Sequence, residues 1–276
     1  MTELAQRFLE LHRGDTPLLM PNPWDPGSAV LLESLGFQAL ATTSSGFAAT
    51  LGRLDGQVTR DEAIAHGGAV AAAVSVPVSG DLENCFADDP DGVAETVRLA
   101  AEAGLAGCSV EDYSGPDGDT IYDAGLAAER VAAAAEAAHA APGGFVLTAR
   151  AENHVHGRDD LADTIARLQS FQEAGADVLF APGVRELDQI RELVSSVDLP
   201  VNVLVMPGMP SVSELGEAGV ARISVGGGFA YAALGAVTAA GRELLHEGTY
   251  GYWETAAEGA KAAHEAFTGE QGLEPR

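Results

Sequence analysis

Val76-Pro77-Val78-Ser79-Gly80-Asp81-Leu82-Glu83 is an apolar, strand-like run that turns acidic only at its end. Two later stretches repeat the pattern. Ala106-Gly107-Cys108-Ser109-Val110-Glu111-Asp112 ends in acid, and Phe145-Val146-Leu147-Thr148-Ala149-Arg150-Ala151-Glu152 ends in an arginine and a glutamate. Strands apolar along their length are buried on both faces, as in a parallel sheet. Charge confined to the C-terminal tips points to a barrel whose chemistry sits at one rim.

Working outward, strand and helix alternate along the whole chain. The pattern predicts a helix at 3–13, strand one at 17–20 and a helix at 27–35 that stops at Gly36. Strand two covers 38–43, and a polar loop runs from Thr42 to Gly56. Thr59 with Glu62 three residues on forms a capping box that opens a helix to about 74. Strands three to five end at Asp81, Glu111 and Arg150, and strands six to eight cover 177–180, 200–205 and 221–225. Helices fill the intervals at 90–103, 124–141, 158–174, 185–196 and 211–218, and Ala-Gly-Xaa junctions close three of them as C-caps do. Eight units of similar strand length favour a modified (β/α)8 TIM barrel over the rival, a doubly wound open sheet. The 276 residues suit one such domain. Residues 229–276 form a mainly helical C-terminal extension with a loose tail, expected to serve oligomerisation.

Composition narrows the function. Fifteen basic against 41 acidic residues give a net charge of −26, which repels phosphate backbones and anionic lipid. Neither nucleic acid nor a membrane is an expected partner. The charged N-terminus lacks the apolar stretch of a signal peptide, and no apolar run is long enough to span a bilayer. Two cysteines, Cys85 and Cys108, exclude a disulfide framework and suit the cytoplasm. Cys85 reads as a neutral core or near-site thiol.

The candidate chemistry lies at the strand tips. Asp81 and Glu83, two apart in an extended run, face one side. They are either a solvated strand end or, with Glu111 from the next strand, ligands of a hard divalent cation. Mg2+ (or Mn2+) keeps several waters, so one direct carboxylate and two acting through water suffice. Arg150 either grips an anionic group bidentately or pairs with Glu152. Thr42-Thr43-Ser44-Ser45-Gly46 is an anion-binding nest or an ordinary turn. Asp112-Tyr113-Ser114-Gly115-Pro116-Asp117-Gly118-Asp119-Thr120 has the composition of a lid, or of a passive loop. His154 and His156 share a strand face but lack a third ligand and read as loop histidines. Gly226-Gly227-Gly228 before a helix is a weak phosphate signal.

Together the segments Asn22-Pro23-Trp24-Asp25-Pro26-Gly27-Ser28-Ala29, Thr43-Ser44-Ser45-Gly46, Leu51-Gly52-Arg53-Leu54-Asp55-Gly56, Asp81-Leu82-Glu83-Asn84, Val110-Glu111-Asp112 and Ala149-Arg150-Ala151-Glu152 resemble the isocitrate lyase/phosphoenolpyruvate mutase superfamily over most of the chain. The resemblance implies a modified barrel, Mg2+ or Mn2+, small 2-oxo acid or enolpyruvate substrates, and a homotetramer that exchanges a C-terminal helix. It implies that Asp81 binds metal directly and that Glu83 and Glu111 act through water. Asp55 orders the metal waters, Ser44, Ser45 and Gly46 hold the 2-oxo carboxylate, and Arg150 grips the substrate. Asp55, Glu111 and Arg150 are the catalytic expectation, and Trp24 and Asn202 complete the substrate contacts.

Departures from the superfamily pattern matter. Its carbon–carbon lyases carry Lys-Lys-Cys-Gly-His on the lid, the Cys acting as acid/base, whereas this lid holds no Cys, Lys or His. Phe180-Ala181-Pro182 occupies the place of a histidine beyond strand six, and Asp119-Thr120 stands near the lid position used by phosphonate-directed members. The expected activity is a Mg2+-dependent lyase acting on a small 2-oxo (di)carboxylate through a metal-stabilised enolate. Oxaloacetate-type decarboxylation comes first, then aldol-type cleavage. The alternatives are a phosphoenolpyruvate mutase or phosphonopyruvate hydrolase, and a feebly active protein that binds a 2-oxo acid such as 2-oxoglutarate.

Overall fold

A computed structural model of the protein describes residues 3–116 and 118–269. Eight parallel strands form one sheet in the order β1-β8-β7-β6-β5-β4-β3-β2. They are β1 (Leu18–Met20), β2 (Leu40–Ala41), β3 (Val78–Asp81), β4 (Gly107–Glu111), β5 (Val146–Arg150), β6 (Val178–Phe180), β7 (Val201–Leu204) and β8 (Arg222–Ser224). The ladder joins every neighbouring pair except β1 and β2. There the Ala41 N–H donates to Pro21 O at 3.1 Å and draws the seam together. The fold is a nearly closed (β/α)8 barrel.

The surrounding helices are α1 (Glu3–Leu11), α2 (Pro26–Ser34), α3 (Ser44–Thr50), α4 (Arg60–Ala73), α5 (Pro90–Glu102), α6 (Ala124–Ala140), α7 (Leu161–Glu173), α8 (Leu187–Ser195) and α9 (Val212–Glu217). Two more follow the last strand, α10 (Gly228–His246) and α11 (Trp253–Thr268). The local signals explain their starts. Asp25 caps α2 with Pro26 at its first position, and the Thr59/Glu62 capping box opens α4. At the ends of α5, α7 and α9, Gly104, Gly175 and Gly219 take φ values of +93°, +100° and +85°, the left-handed turn that lets a strand follow at once.

The core lies between sheet and helices. Val93 and Val97 of α5, Ala134 and Ala138 of α6, and Leu168 and Phe171 of α7 are fully buried against the strands. Each such Leu or Phe contributes about 1.5–3 kcal/mol relative to exposure. Helix α6 is alanine-rich because it packs closely on α5 and α7, where larger side chains would not fit.

Three local expectations change. Strand two spans only Leu40–Ala41, because it pairs laterally with β3 alone and Thr43 leaves the sheet to cap a helix. The loop expected from Thr42 to Gly56 contains that helix, α3, whose Thr43 hydroxyl accepts from the Gly46 N–H. Glu83 does not continue β3; it follows Asp81 in a turn with φ of +50°. The tail expected at 270–276 lies outside the described residues.

Candidate active site at the strand tips

The C-terminal ends of the strands surround a cavity of about 400 Å³, within the usual range for a small ligand. Asp55, Asp81, Glu83, Glu111 and Arg150 all line it, as do Ser44, Ser45 and Asn202. The strand register explains the central pair. Glu111 and Arg150 are Cα partners at the tips of β4 and β5, so the acid and the guanidinium emerge side by side. Trp24 and Gly46 do not line the cavity; a Cβ at Gly46 would meet the Trp24 Cβ at 3.2 Å, so the two positions pack on each other. Gly46 is the inward face of α3, and the serines before it carry the hydroxyls into the cavity.

Arg150 is the hub. Its Nη1 donates to Asp81 Oδ1 at 2.9 Å, its Nε donates to Glu152 Oε1 at 2.8 Å, and its Nη2 lies 3.3 Å from Glu111 Oε2. Of the two sequence readings of Arg150, the structure shows the pair with Glu152, and it adds Asp81 and Glu111 to the same guanidinium. Burial opposes its charge, but Glu152, Glu111 and Asp81 outweigh that and hold its pKa above the ordinary arginine value.

The acids are under strain from one another. Burial and then the Asp81 and Asp55 charges push Glu83 up to about 8. Glu111 is raised by burial, with Arg150 opposing and Glu152 and Asp81 adding to the shift. Asp55 is exposed as a residue, yet its carboxyl faces this crowd and is raised by desolvation and by Asp81. The Ser44 N–H donates to Asp81 Oδ2 at 3.0 Å and the Gly46 N–H to Thr43, so those two amides of the expected nest already have acceptors.

This donor set fits a hard cation in its chemistry, being all carboxylate oxygen around an excess of negative charge. Among the described residues, no three of His, Cys, Asp and Glu converge to hold an ion by themselves.

The rim is held from behind by buried arginines. Arg130, fully buried in α6, donates to the carbonyls of Glu111, Asn84 and Ala87 and stacks on Tyr122 at 4.2 Å. It ties the β4 tip to the turn that carries Glu83. Arg167 pairs with Asp112 at 3.1 Å, and Asp112 accepts from the Glu152 N–H at 2.8 Å. The lid folds back as a short hairpin, with Tyr113 bridging Ile121 and the Ser114 N–H donating to Thr120 O. Pro116 of the lid rests on Gly56, where φ is +76° and a Cβ would collide with the proline ring.

Several lining residues carry no motif. Arg222 of β8 forms the floor, buried beside Thr148 Oγ1 at 3.2 Å and His12 Nε2 at 3.1 Å, with no carboxylate partner. Burial and then Arg150 lower its pKa to about 9. Among the described residues, the buried Nε of Arg222 and Oδ1 of Asn202 have no hydrogen-bond partner. Gly226 and Gly227 line the wall, and the Val225 and Gly226 amides donate to Asn22 Oδ1, both at 2.9 Å. His156 also lines the cavity, on a turn rather than a strand face, and stacks on Tyr113 with ring centroids 3.7 Å apart. The only sequence signal for it was a histidine six residues past a charged strand tip.

The chain matches the phosphoenolpyruvate phosphomutase family model over residues 8–245. It belongs to that family. The phosphoenolpyruvate mutase/isocitrate lyase superfamily contains carbon–carbon lyases and mutases, and this protein is an enzyme of that group. An uncharacterized protein of Mycobacterium tuberculosis H37Rv is 36% identical over 221 residues, 79% of this chain and 81% of its own length. Oxaloacetate decarboxylase 2 of Pseudomonas fluorescens Pf0-1 is 31% identical over 229 residues, 81% of this chain and 77% of that protein. A crystal structure from Burkholderia cenocepacia J2315, described as a lyase/mutase, superposes with a TM-score of 0.92 at 47% identity, covering 96% of this chain and 95% of that one.

Proposed function

We propose that this family member is a divalent-metal-dependent lyase that decarboxylates oxaloacetate or a close 2-oxo dicarboxylate. One observation carries the reading. Four carboxylates, Asp55, Asp81, Glu83 and Glu111, face a single bridging arginine, Arg150, around a cavity sized for a small acid. Burial first, and then the neighbouring acids, make two of those carboxyls bind protons more tightly than an ordinary glutamate. The 31% identical oxaloacetate decarboxylase supports the choice of substrate. A phosphonate dianion suits the acidic cavity and the acidic lid poorly.

In this reading Asp81 would hold the cation directly, and Glu83, Glu111 and Asp55 would hold its water shell. The cation, when bound, supplies positive charge against the 2-oxo oxygen and its neighbouring carboxylate. Ser44 and Ser45 donate their hydroxyls to that carboxylate. Arg150 orients the substrate through its planar fork. As the C3–C4 bond breaks, its electron pair moves toward the 2-oxo oxygen and CO2 departs. The hydroxyls and Arg150 stabilise the charge where it develops. The lid hairpin on Gly56 keeps water from the enolate.

The test follows oxaloacetate, pyruvate and 2-oxoglutarate in D2O by NMR, with Mg2+ and then with chelator. Mg2+-dependent pyruvate formation, or C3 proton exchange, is the expected result. Absence of both with all three acids overturns the reading.

A further inference from the structure

The decarboxylation leaves an enolate that must take a proton at C3, and none of the residues assigned above donates one. The lid offers no Cys, Lys or His. Asp81, Glu83 and Glu111 are committed to the cation in the reading above. Cys85 and Cys108 are buried in the core and outside the cavity lining.

We infer that His156 is the general acid that protonates C3, an assignment that rests on the decarboxylase reading. The residue reaches the cavity from the turn after β5, and that turn is built to hold it. The His156 N–H donates to Glu152 O, the Gly157 N–H to His154 O, and the Arg158 N–H to Asn153 O. The Asn153 side chain ties the turn to Asp163 of α7. Gly183, after β6, lies directly under His154, where any side chain would collide.

The imidazole has defined neighbours. On one side its ring lies flat on Tyr113 of the lid, with an interplanar angle of 18°. The Tyr113 hydroxyl donates to Asp119 Oδ1 at 3.0 Å. Facing Nε2 at 3.8 Å is Glu152 Oε2, whose other oxygen is held by Arg150. That carboxylate is nearly fully buried, while the imidazole is 29% exposed at the mouth. His154 faces Asp159 at 3.6 Å and does not line the cavity. The stacked Tyr113 ring and the fixed Glu152 carboxylate set the orientation of the imidazole.

The step balances. The C3–C4 electron pair enters the enolate, CO2 leaves, one His156 ring N–H gives its proton to C3, and pyruvate forms. The neutral imidazole regains a proton from solvent at the mouth. In reverse it removes a C3 proton from pyruvate, which makes deuterium exchange a direct readout.

The experiment compares the intact protein with the His156→Gln variant in Mg2+ and D2O, using oxaloacetate turnover, pyruvate C3 exchange and oxaloacetate affinity. General acids contribute about 10²–10⁴-fold. The expected result is an exchange rate lowered about 100-fold or more, loss of the corresponding limb of the pH–rate profile, unchanged affinity, and partial recovery with added imidazole. Exchange at the wild-type rate with an unchanged pH profile overturns the His156 assignment and leaves the decarboxylase reading standing. Equal loss of affinity and rate without imidazole rescue also overturns it, by making His156 a structural residue. A wild-type protein inert toward oxaloacetate and pyruvate overturns both.

Discussion

Arg150 is the one cation that three carboxylates share, so its removal has consequences for both fold and chemistry. Arg150→Ala strands Asp81, Glu111 and Glu152 around a mostly buried space. Breaking such a set costs about 3–5 kcal/mol, which thermal or urea unfolding will register. Arg150→Lys keeps charge but loses the planar fork, so we expect weaker carboxylate binding with a smaller stability loss. Asp81→Ala removes the proposed direct ligand; calorimetry should find no Mg2+-dependent binding of oxaloacetate to a folded protein. Glu83 supplies the pH prediction. Its folded pKa is raised from 4.5 to about 8. The folded state therefore holds this proton more tightly than the unfolded chain. Without a cation, stability from this group falls as pH rises from about 4.5 to about 8 and then levels. Melting temperatures of chelated protein across that window should show the slope, and Glu83→Gln should flatten it. Mg2+ competes with the same proton, so its affinity should rise over that window with proton release.

At the scale of the element, the lid and its seat form a unit. Gly56 takes a left-handed conformation against Pro116. Gly56→Ala costs on the order of 1–2 kcal/mol for the backbone alone and pushes the lid away. Faster proteolysis within the lid and a raised KM are the expected signs. The strand tips of β3, β4 and β5 were legible because a parallel sheet tolerates charge only at its ends. The capping boxes were legible because they are local chemistry. Helix α3 was not, since Ser44-Ser45-Gly46-Phe47-Ala48-Ala49-Thr50 has little helical periodicity and is ordered by Thr43 capping and by the Ser44 N–H donating to Asp81 at the tip of the neighbouring strand. Arg222 escaped notice for a related reason. Its place as the cavity floor depends on the register of β8 against β7 and on Thr148 across the barrel.

For the whole molecule, the last two helices touch the barrel, α11 on α2 and α10 through the buried Ala230, and leave much of their surface uncovered. Helix α11 buries none of its residues, and Val237, Leu245 and Trp253 are 70%, 77% and 62% exposed. Apolar surface of this extent marks an interaction site. We propose that 229–276 serves association between copies of the chain. Sedimentation should show a homo-oligomer, and truncation before α11 should reduce its order. With a net charge of −26 per chain, copies repel, so low ionic strength should favour dissociation.

By itself the sequence determined the barrel and the acids and arginine that end its strands at one rim. Those follow from alternation, burial and local capping, which act over a few residues. Only the tertiary structure decided that Arg150 bridges those acids, that Trp24 and Gly46 stand outside the cavity, and that His156 stacks on the lid. Such juxtapositions join residues far apart in the chain, and closure of the barrel is what brings them together.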